Sequence, residues 1–178
     1  LASSNDLSTI YKSTNPLEGT WEVAVEKLQQ PVYDPAFFMD TDNNLYLYWG
    51  CSDQNPIYGV ELDYRNHFAF KSDPQELIHP NTSQYGWEVP GENNSDTERH
   101  PWIEGAWMTK LQGRYYLQYA CPGTESKSYA DAVYVAASPL GPFELQLHNP
   151  LAAKPSGFAA GVGHGSIITD RYGNLWHW

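Results

Sequence analysis

The sequence predicts an all-β fold, a β-propeller built from four-stranded antiparallel blades. Three observations carry that reading: one hairpin pattern recurs three times, its copies superpose without a gap, and no helix of useful length is legible. Each copy is an apolar strand, a turn rich in Asn or Gly, and an aromatic strand. They begin at Asp34-Pro35-Ala36-Phe37-Phe38, at Glu104-Gly105-Ala106-Trp107-Met108 and at His164-Gly165-Ser166-Ile167-Ile168.

In that superposition Asn43, Gly113 and Gly173 share the turn, and Tyr46, Tyr116 and Trp176 share the following strand. Asp34, Glu104 and His164 then occupy one equivalent position. Radial repetition makes the first strand of each blade line a central channel, so three unlike titratable side chains are expected to meet in one polar cluster.

In chain order, residues 1–30 read as the tail of a first blade, since Leu1-Ala2-Ser3-Ser4-Asn5-Asp6 opens abruptly and resembles the back half of a later blade. Residues 31–72 form the second blade, with strands near 34–39, 45–50, 57–62 and 67–71. Residues 73–102, with Pro74, Pro80, Pro90 and the polar run Glu92-Asn93-Asn94-Ser95-Asp96, read as a long irregular excursion; loops of that length in compact domains are usually functional. Residues 103–148 form the third blade, with strands near 104–110, 114–120, 132–138 and 142–147. Residues 149–178 hold a Gly-rich loop and the start of a fourth blade. The chain thus reads as a segment of a larger propeller, its first blade incomplete and its last strand breaking off at Trp178.

The 178 residues are 41% hydrophobic and 15% aromatic, with 7 Trp and 13 Tyr, enough for a real core. A formal charge of −11 excludes nucleic acid and anionic membrane surfaces as natural partners and leaves neutral ligands unpenalised. The aromatic content suits sugars, although most of these rings are expected to fill sheet cores. Cys51 and Cys121 follow equivalent strands and are too few for a disulfide framework; they are expected to be free thiols. No apolar run approaches a membrane span, and no Lys- or Arg-led apolar stretch opens the sequence. The compartment stays open, a secreted or periplasmic setting being favoured.

Two carboxylates, Asp34 and Glu104, aimed into one semi-enclosed pocket are the minimal apparatus of glycoside hydrolysis. One protonates the leaving oxygen while the other sets that proton's acidity or activates water. Four further residues are candidates for sugar contact: Trp107 on the inner strand, which also suits packing between blades; Trp102 and Arg99 at the loop end; and Phe158 in the Gly-rich loop. Asp40 and Asp42 read as a turn rather than a calcium loop, having no EF-hand spacing. His177 aligns with Leu47 and Leu117 and reads as structural.

The sequence also resembles glycoside hydrolase family 43. The resemblance rests on Tyr33-Asp34-Pro35-Ala36-Phe37-Phe38 with Asp40 and Asp42, on Ile103-Glu104-Gly105-Ala106-Trp107-Met108, on Ser138-Pro139-Leu140-Gly141-Pro142-Phe143 and on Gly161-Val162-Gly163-His164-Gly165-Ser166. It implies a five-bladed propeller and an inverting glycosidase of the β-xylosidase or α-L-arabinofuranosidase type, acting on xylose- or arabinose-containing polysaccharides or oligosaccharides. By the same resemblance Glu104 is the general acid and Asp34 the carboxylate that orients it and tunes its pKa. His164 is the axial histidine, near a calcium ion directly or through water. The resemblance further implies a general base from the inner strand of the first blade, which this chain lacks; Asp6 lies in that blade's tail and is not assigned the role. The segment alone is expected to be inactive. Two other classes stay in view: a non-catalytic carbohydrate-binding propeller using the same pocket, and a structural or protein-interaction propeller, which the cost of burying unpaired carboxylates disfavours.

Overall fold

The computed structural model describes residues 1–3 and 6–178; Ser4 and Asn5 of the opening stretch lie outside the described residues. The described chain is all-β, with four antiparallel sheets in chain order and three single turns of 3₁₀ helix.

The first sheet holds β1 (Ala2–Ser3), β2 (Ile10–Lys12) and β3 (Glu22–Val25), in that order. The second runs β4 (Ala36–Met39), β5 (Leu45–Trp49), β6 (Ile57–Asp63), β7 (Ala69–Phe70), with β8 (Gln75–Ile78) also pairing on β6. The third repeats this plan: β9 (Glu104–Leu111), β10 (Arg114–Cys121), β11 (Ala130–Ala136), β12 (Glu144–Leu145), with β13 (Ala152–Ala153) also on β11. β14 (Ile167–Thr169) and β15 (Leu175–His177) pair as the fourth sheet.

Turn chemistry sets the hairpins. Leu111 pairs with Arg114, leaving the two-residue loop Gln112-Gly113 with φ of 50° and 77°, the left-handed pair that a tight hairpin needs. The other two hairpins share a longer loop. The Asp40 N–H donates to the Asn44 carbonyl at 2.9 Å, as the Asp170 N–H does to that of Asn174, with Asn43 and Gly173 left-handed at the same point.

The sequence Leu45-Tyr46-Leu47-Tyr48-Trp49 is buried at all five positions because β5 is covered on both faces. Leu45, Leu47 and Trp49 join Ile10, Leu28 and Val32 in a core shared with the first sheet, while Tyr46 and Tyr48 join Ile103, Met108, Tyr115 and Leu117 in a core shared with the third. Alternate residues of one strand thus hold two neighbours, which is how stacked sheets lock together. Trp21 and Val23 at one end of the array, and Ile168, Trp176 and Trp178 at the other, stay substantially exposed.

The excursion over 73–102 differs from its reading as wholly irregular. Gln75–Ile78 returns to pair with β6, and Gly86–Glu88 and Glu92–Asn94 form short 3₁₀ turns. Both cysteines are free. Among the described residues no helix is long and apolar enough to cross a membrane.

Candidate active site

The three equivalent positions converge. Each copy of the inner strand opens on a left-handed residue: Asp34 at φ 49°, Gly105 at 64° and His164 at 64°. For the two non-glycine residues this is a strained conformation, of the kind that clusters at functional sites. In the third sheet the pairing steps from Gln118–Trp107 to Ala120–Glu104, so β9 holds one extra residue, and Gly105 takes the bulge. The bulge re-aims Glu104. A Cβ on Gly105 would fall 2.8–3.1 Å from atoms of His164, so glycine is what lets the fourth-sheet histidine lie against this strand.

A reciprocal pair of backbone hydrogen bonds between Ser52 and Ile103, at 3.1 and 3.0 Å, ties the end of β5 to the entry of β9. This places Cys51 beside Glu104. One oxygen each from Asp34 and Glu104 and the Cys51 sulfur lie within 4.8 Å of one another. Glu104 is buried, 7% exposed, and both its oxygens are occupied. The Tyr129 hydroxyl donates to Oε1 at 2.5 Å, and the Cys51 thiol donates to Oε2 at 3.2 Å. Trp102 Nε1 donates in turn to the Cys51 sulfur at 3.2 Å.

Burial, with the hydrogen bonds to Glu104 and Asp34, pushes the Cys51 thiol up to about 12 against the opposing pull of Trp102. Burial, reinforced by the bond to Glu104, likewise pushes the Tyr129 phenol well above its ordinary value. Both therefore remain neutral donors at neutral pH.

His164 is held by Asp131 on β11. The fully buried Asp131 carboxylate accepts the N–H of His164 at 2.8 Å and of Gly165 at 2.9 Å, and meets Gln118 Nε2 at 3.0 Å and His177 Nε2 at 2.9 Å. Burial pushes this carboxyl up, against the pull of those backbone donors and of His177. His177 thus has a structural partner, in line with its reading from the sequence.

Two cavities flank the carboxylates. One of about 270 Å³ is lined by Asp34, Trp107, His164 and neighbouring backbone. The other, about 790 Å³, is lined by Cys51, Trp102 and aromatic and amide residues of the second sheet. Trp107 lines the first cavity and also donates from Nε1 to the Ile167 carbonyl at 3.0 Å, so it serves packing between sheets as well. Arg99 is paired with Glu125 at 2.6 Å and Asp96 at 3.5 Å, and Phe158 is fully exposed; neither lines either cavity. Asp6 caps a turn, accepting the Ser8 and Thr9 N–H groups at 3.0 and 2.8 Å.

Calcium takes about six to eight oxygen ligands. His164 offers nitrogen, and among the described residues the group of three potential ligands drawn together is Asp34, Cys51 and Glu104, one of them a protonated thiol. That donor set does not fit a direct calcium cage, and an ion beside His164 would take most of its ligands from water.

Cys51 as a neighbour of Glu104, Tyr129 as its donor and Asp131 as the anchor of His164 were not singled out from the sequence. Cys51 had one usable signal, its place directly after the second strand of the hairpin.

Repeated antiparallel sheets presenting paired carboxylates at the entries of their inner strands are the arrangement of a β-propeller glycoside hydrolase. Residues 3–178 match the family described as Glycosyl hydrolases family 43, and the chain belongs to it. It is 28% identical over 155 residues to a xylosidase/arabinosidase of Bacteroides ovatus, covering 74% of this chain and 42% of that protein. It is 26% identical over 153 residues to a beta-xylosidase of Xylanibacter ruminicola, again covering 74% of this chain and 42% of the relative. The chain therefore spans less than half the length of these two curated relatives. Among solved structures, a thermostable family-43 glycoside hydrolase superposes with a TM-score of 0.76 at 25% identity, covering 95% of this chain and 55% of that one. A xylan beta-1,4-xylosidase from Bacillus halodurans shares the fold with a TM-score of 0.72 at 21% identity, covering 95% of this chain and 30% of that one.

Proposed function

We propose that the protein hydrolyses xylose- or arabinose-containing plant polysaccharides or oligosaccharides, with Glu104 as general acid and Asp34 as the carboxylate that orients it. The observation that carries this reading is the convergence of Asp34 and Glu104 from separate sheets to within 4.8 Å, with Glu104 clasped by two neutral donors. The names of the relatives support the sugar class.

Inverting enzymes hold their acid and base carboxyls roughly 6.5–9.5 Å apart to admit water. Asp34 is too close to Glu104 to serve as that base, which favours its orienting role. The base then comes from outside the described residues, and the 178-residue chain alone is inactive. The four sheets take consecutive places in a five-bladed ring, whose closure would cover the exposed Trp21, Val23, Trp176 and Trp178.

The spacing also bears on a second stereochemical outcome. Retaining enzymes hold their carboxyls roughly 5–5.5 Å apart, which would make Asp34 a nucleophile. Proton NMR of the first-formed anomer separates the two: inversion supports Asp34 as the orienting carboxylate, and retention supports it as the nucleophile.

The deciding test is hydrolysis of 4-nitrophenyl β-xyloside and α-arabinofuranoside by the protein at its full natural length, wild type beside Glu104→Gln. Turnover that the variant loses by several orders of magnitude supports both the activity and the acid assignment. Oligosaccharide binding without turnover in either protein would mark a carbohydrate-binding module instead.

A further inference from the structure

Asp131, fully buried on β11, spends its acceptor capacity across a sheet boundary. Its Oδ1 accepts the N–H of His164 at 2.8 Å, while Oδ2 accepts that of Gly165 at 2.9 Å and stands 2.9 Å from His177 Nε2. The fourth partner, Gln118 Nε2 at 3.0 Å, comes from its own sheet. A carboxylate leaves water at a large cost unless donors surround it. Here three of the four donors belong to β15 and the entry of β14, so the charge is settled only when that segment is docked.

Burial does little to hold that segment. β14 and β15 are largely exposed, and so is His164. Polar contacts do the holding instead, with Gln118 Nε2 donating to the Gly165 carbonyl at 2.7 Å and Trp107 Nε1 to that of Ile167 at 3.0 Å across the same junction. His164 keeps a left-handed backbone, φ 64°, which costs free energy and persists only where the surroundings enforce it. Consecutive backbone N–H groups at such a residue form a nest for an anion, and the Asp131 carboxylate fills it. Glycine at 165 allows the approach: a Cβ there would strike His177 Nε2 and fall 2.6 Å from Oδ2 of Asp131.

The residue held in this way lies against the carboxyl site. The ring and Cα of His164 pack on Gly105, 2.8–3.1 Å from where a Cβ would sit. Gly105 is the bulge residue of β9, directly after Glu104, and a bulge sets the direction of the side chains beside it. A contiguous path therefore runs from Asp131 through the backbone and ring of His164 to the Gly105 bulge and Glu104. His164 also shares the smaller cavity with Asp34, whereas Asp131 lines neither cavity.

We propose that Asp131 is a positioning residue of the active site: by gripping the N–H groups of His164 and Gly165 it seats His164 on the Gly105 bulge and so holds Glu104 in line with the leaving oxygen. This rests on the glycosidase reading and deepens it, because the aim of the acid is set by a buried residue that touches no substrate atom. The grip needs both carboxylate oxygens. Asp131→Asn keeps the shape but retains one acceptor, and its NH₂ group faces at least one of the two backbone N–H groups, so donor meets donor and the seat of His164 loosens.

The test uses the protein at its full natural length and two substrates that differ only in leaving group, the 4-nitrophenyl and phenyl glycosides of xylose or of arabinose. Phenol is the poorer leaving group and depends more on protonation by the acid. Asp131→Asn is expected to lower kcat/KM about 10- to 100-fold on the phenyl glycoside, the scale of a misplaced catalytic group, with KM little changed. The loss on the 4-nitrophenyl glycoside should be at least about threefold smaller. His177→Leu withdraws one donor from Asp131 and installs the residue type of Leu47 and Leu117, its counterparts in the other two hairpins. It is expected to show the same dependence on leaving group at a smaller size, and it carries the test if thermal melts show that Asp131→Asn does not fold. Equal losses on both substrates, or no loss in a folded variant, overturn the positioning role while leaving the glycosidase reading in place. Absence of turnover of every glycoside by the wild-type protein overturns both.

Discussion

The Cys51 thiol donates to Oε2 of Glu104 across 3.2 Å, although 53 residues separate the two in the chain. If Glu104 is the general acid, as proposed, this contact makes Cys51 a positioning residue that holds its carboxyl. In the protein at its full natural length, Cys51→Ala is expected to lower kcat about tenfold or more, the scale of a hydrogen bond to a charged group, whereas Cys51→Ser, which keeps a donor, retains most of it. The same thiol should resist alkylation. Burial pushes it to about 12, so the thiolate fraction at neutral pH is very small, and iodoacetamide labelling followed by mass spectrometry should accelerate only as pH rises toward that value. Rapid labelling at neutral pH would contradict this environment.

Tyr129 supplies the other half of the clasp. Its hydroxyl donates to Oε1 of Glu104, and its ring fills the space that a Cβ on Gly163 would need, 2.6–2.8 Å away. Tyr129→Phe preserves the packing and removes the donor alone. In the protein at its full natural length, activity on an aryl glycoside is expected to fall about 10- to 100-fold in kcat with little change in melting temperature. A large drop in melting temperature with kcat intact would make Tyr129 structural.

The parts of this architecture legible in the sequence are those written in local patterns. Asn43, Gly113 and Gly173 mark turns because left-handed backbone favours Asn and Gly, and the aromatic strands β5 and β10 after the first two are near-continuous because they are buried along most of their length. Superposing those patterns singled out Asp34 and Glu104, which lie together, and His164, which lines the smaller cavity with Asp34. What stayed hidden depends on contacts that no local pattern encodes. Tyr129 reaches Glu104 from 25 residues away, and Arg99 finds Glu125 from 26, so its sugar-binding reading could not be weighed against an ion pair. β8 and β13 are too short, at four and two residues, to show a period. The extra residue at Gly105 is also invisible to a gapless superposition, because the bulge changes pairing on one side of β9 without changing the spacing between copies.

Glu88 carries a pH signature of its own. It is fully buried on the 3₁₀ turn of the long excursion, where it accepts hydrogen bonds from the Tyr119 hydroxyl and the Asn81 N–H. Burial outweighs those donors and raises its carboxyl above the ordinary 4.5. The folded chain therefore binds a proton where the unfolded chain does not, and stability rises as pH falls from neutrality through the raised value toward 4.5. Glu88→Gln should flatten that rise. In urea titrations the gap between variant and wild type is expected to favour the variant most at neutral pH and to shrink on acidification. A gap that does not move with pH would rule out Glu88 as its source.

Asp40 titrates with the opposite sign, and it joins two sheets. Its carboxylate, 4% exposed at the end of β4, accepts from Lys110 Nζ and the Tyr115 hydroxyl of the third sheet at 2.5 Å each, and from the Thr41 N–H at 2.6 Å. Burial alone would raise this carboxyl, but Lys110, Tyr115 and Thr41 together hold it below its ordinary 3.8. A folded value below the unfolded one means that the latch contributes fully above pH 3.8 and is lost as pH falls through the lower value. Asp40→Asn weakens the interaction with Lys110 and removes the ionised acceptor of the Tyr115 hydroxyl, so it is expected to cost about 1–3 kcal/mol at neutral pH. The variant's stability should also fall less steeply than wild type below pH 3.8. Amide hydrogen exchange would locate the loss: protection should fall along β4 and β9, which face each other across the latch, and remain in β2 and β3. Uniform loss over all sheets would instead mean that the array unfolds as one unit, with Asp40 no more a joint between the second and third sheets than any other buried polar residue.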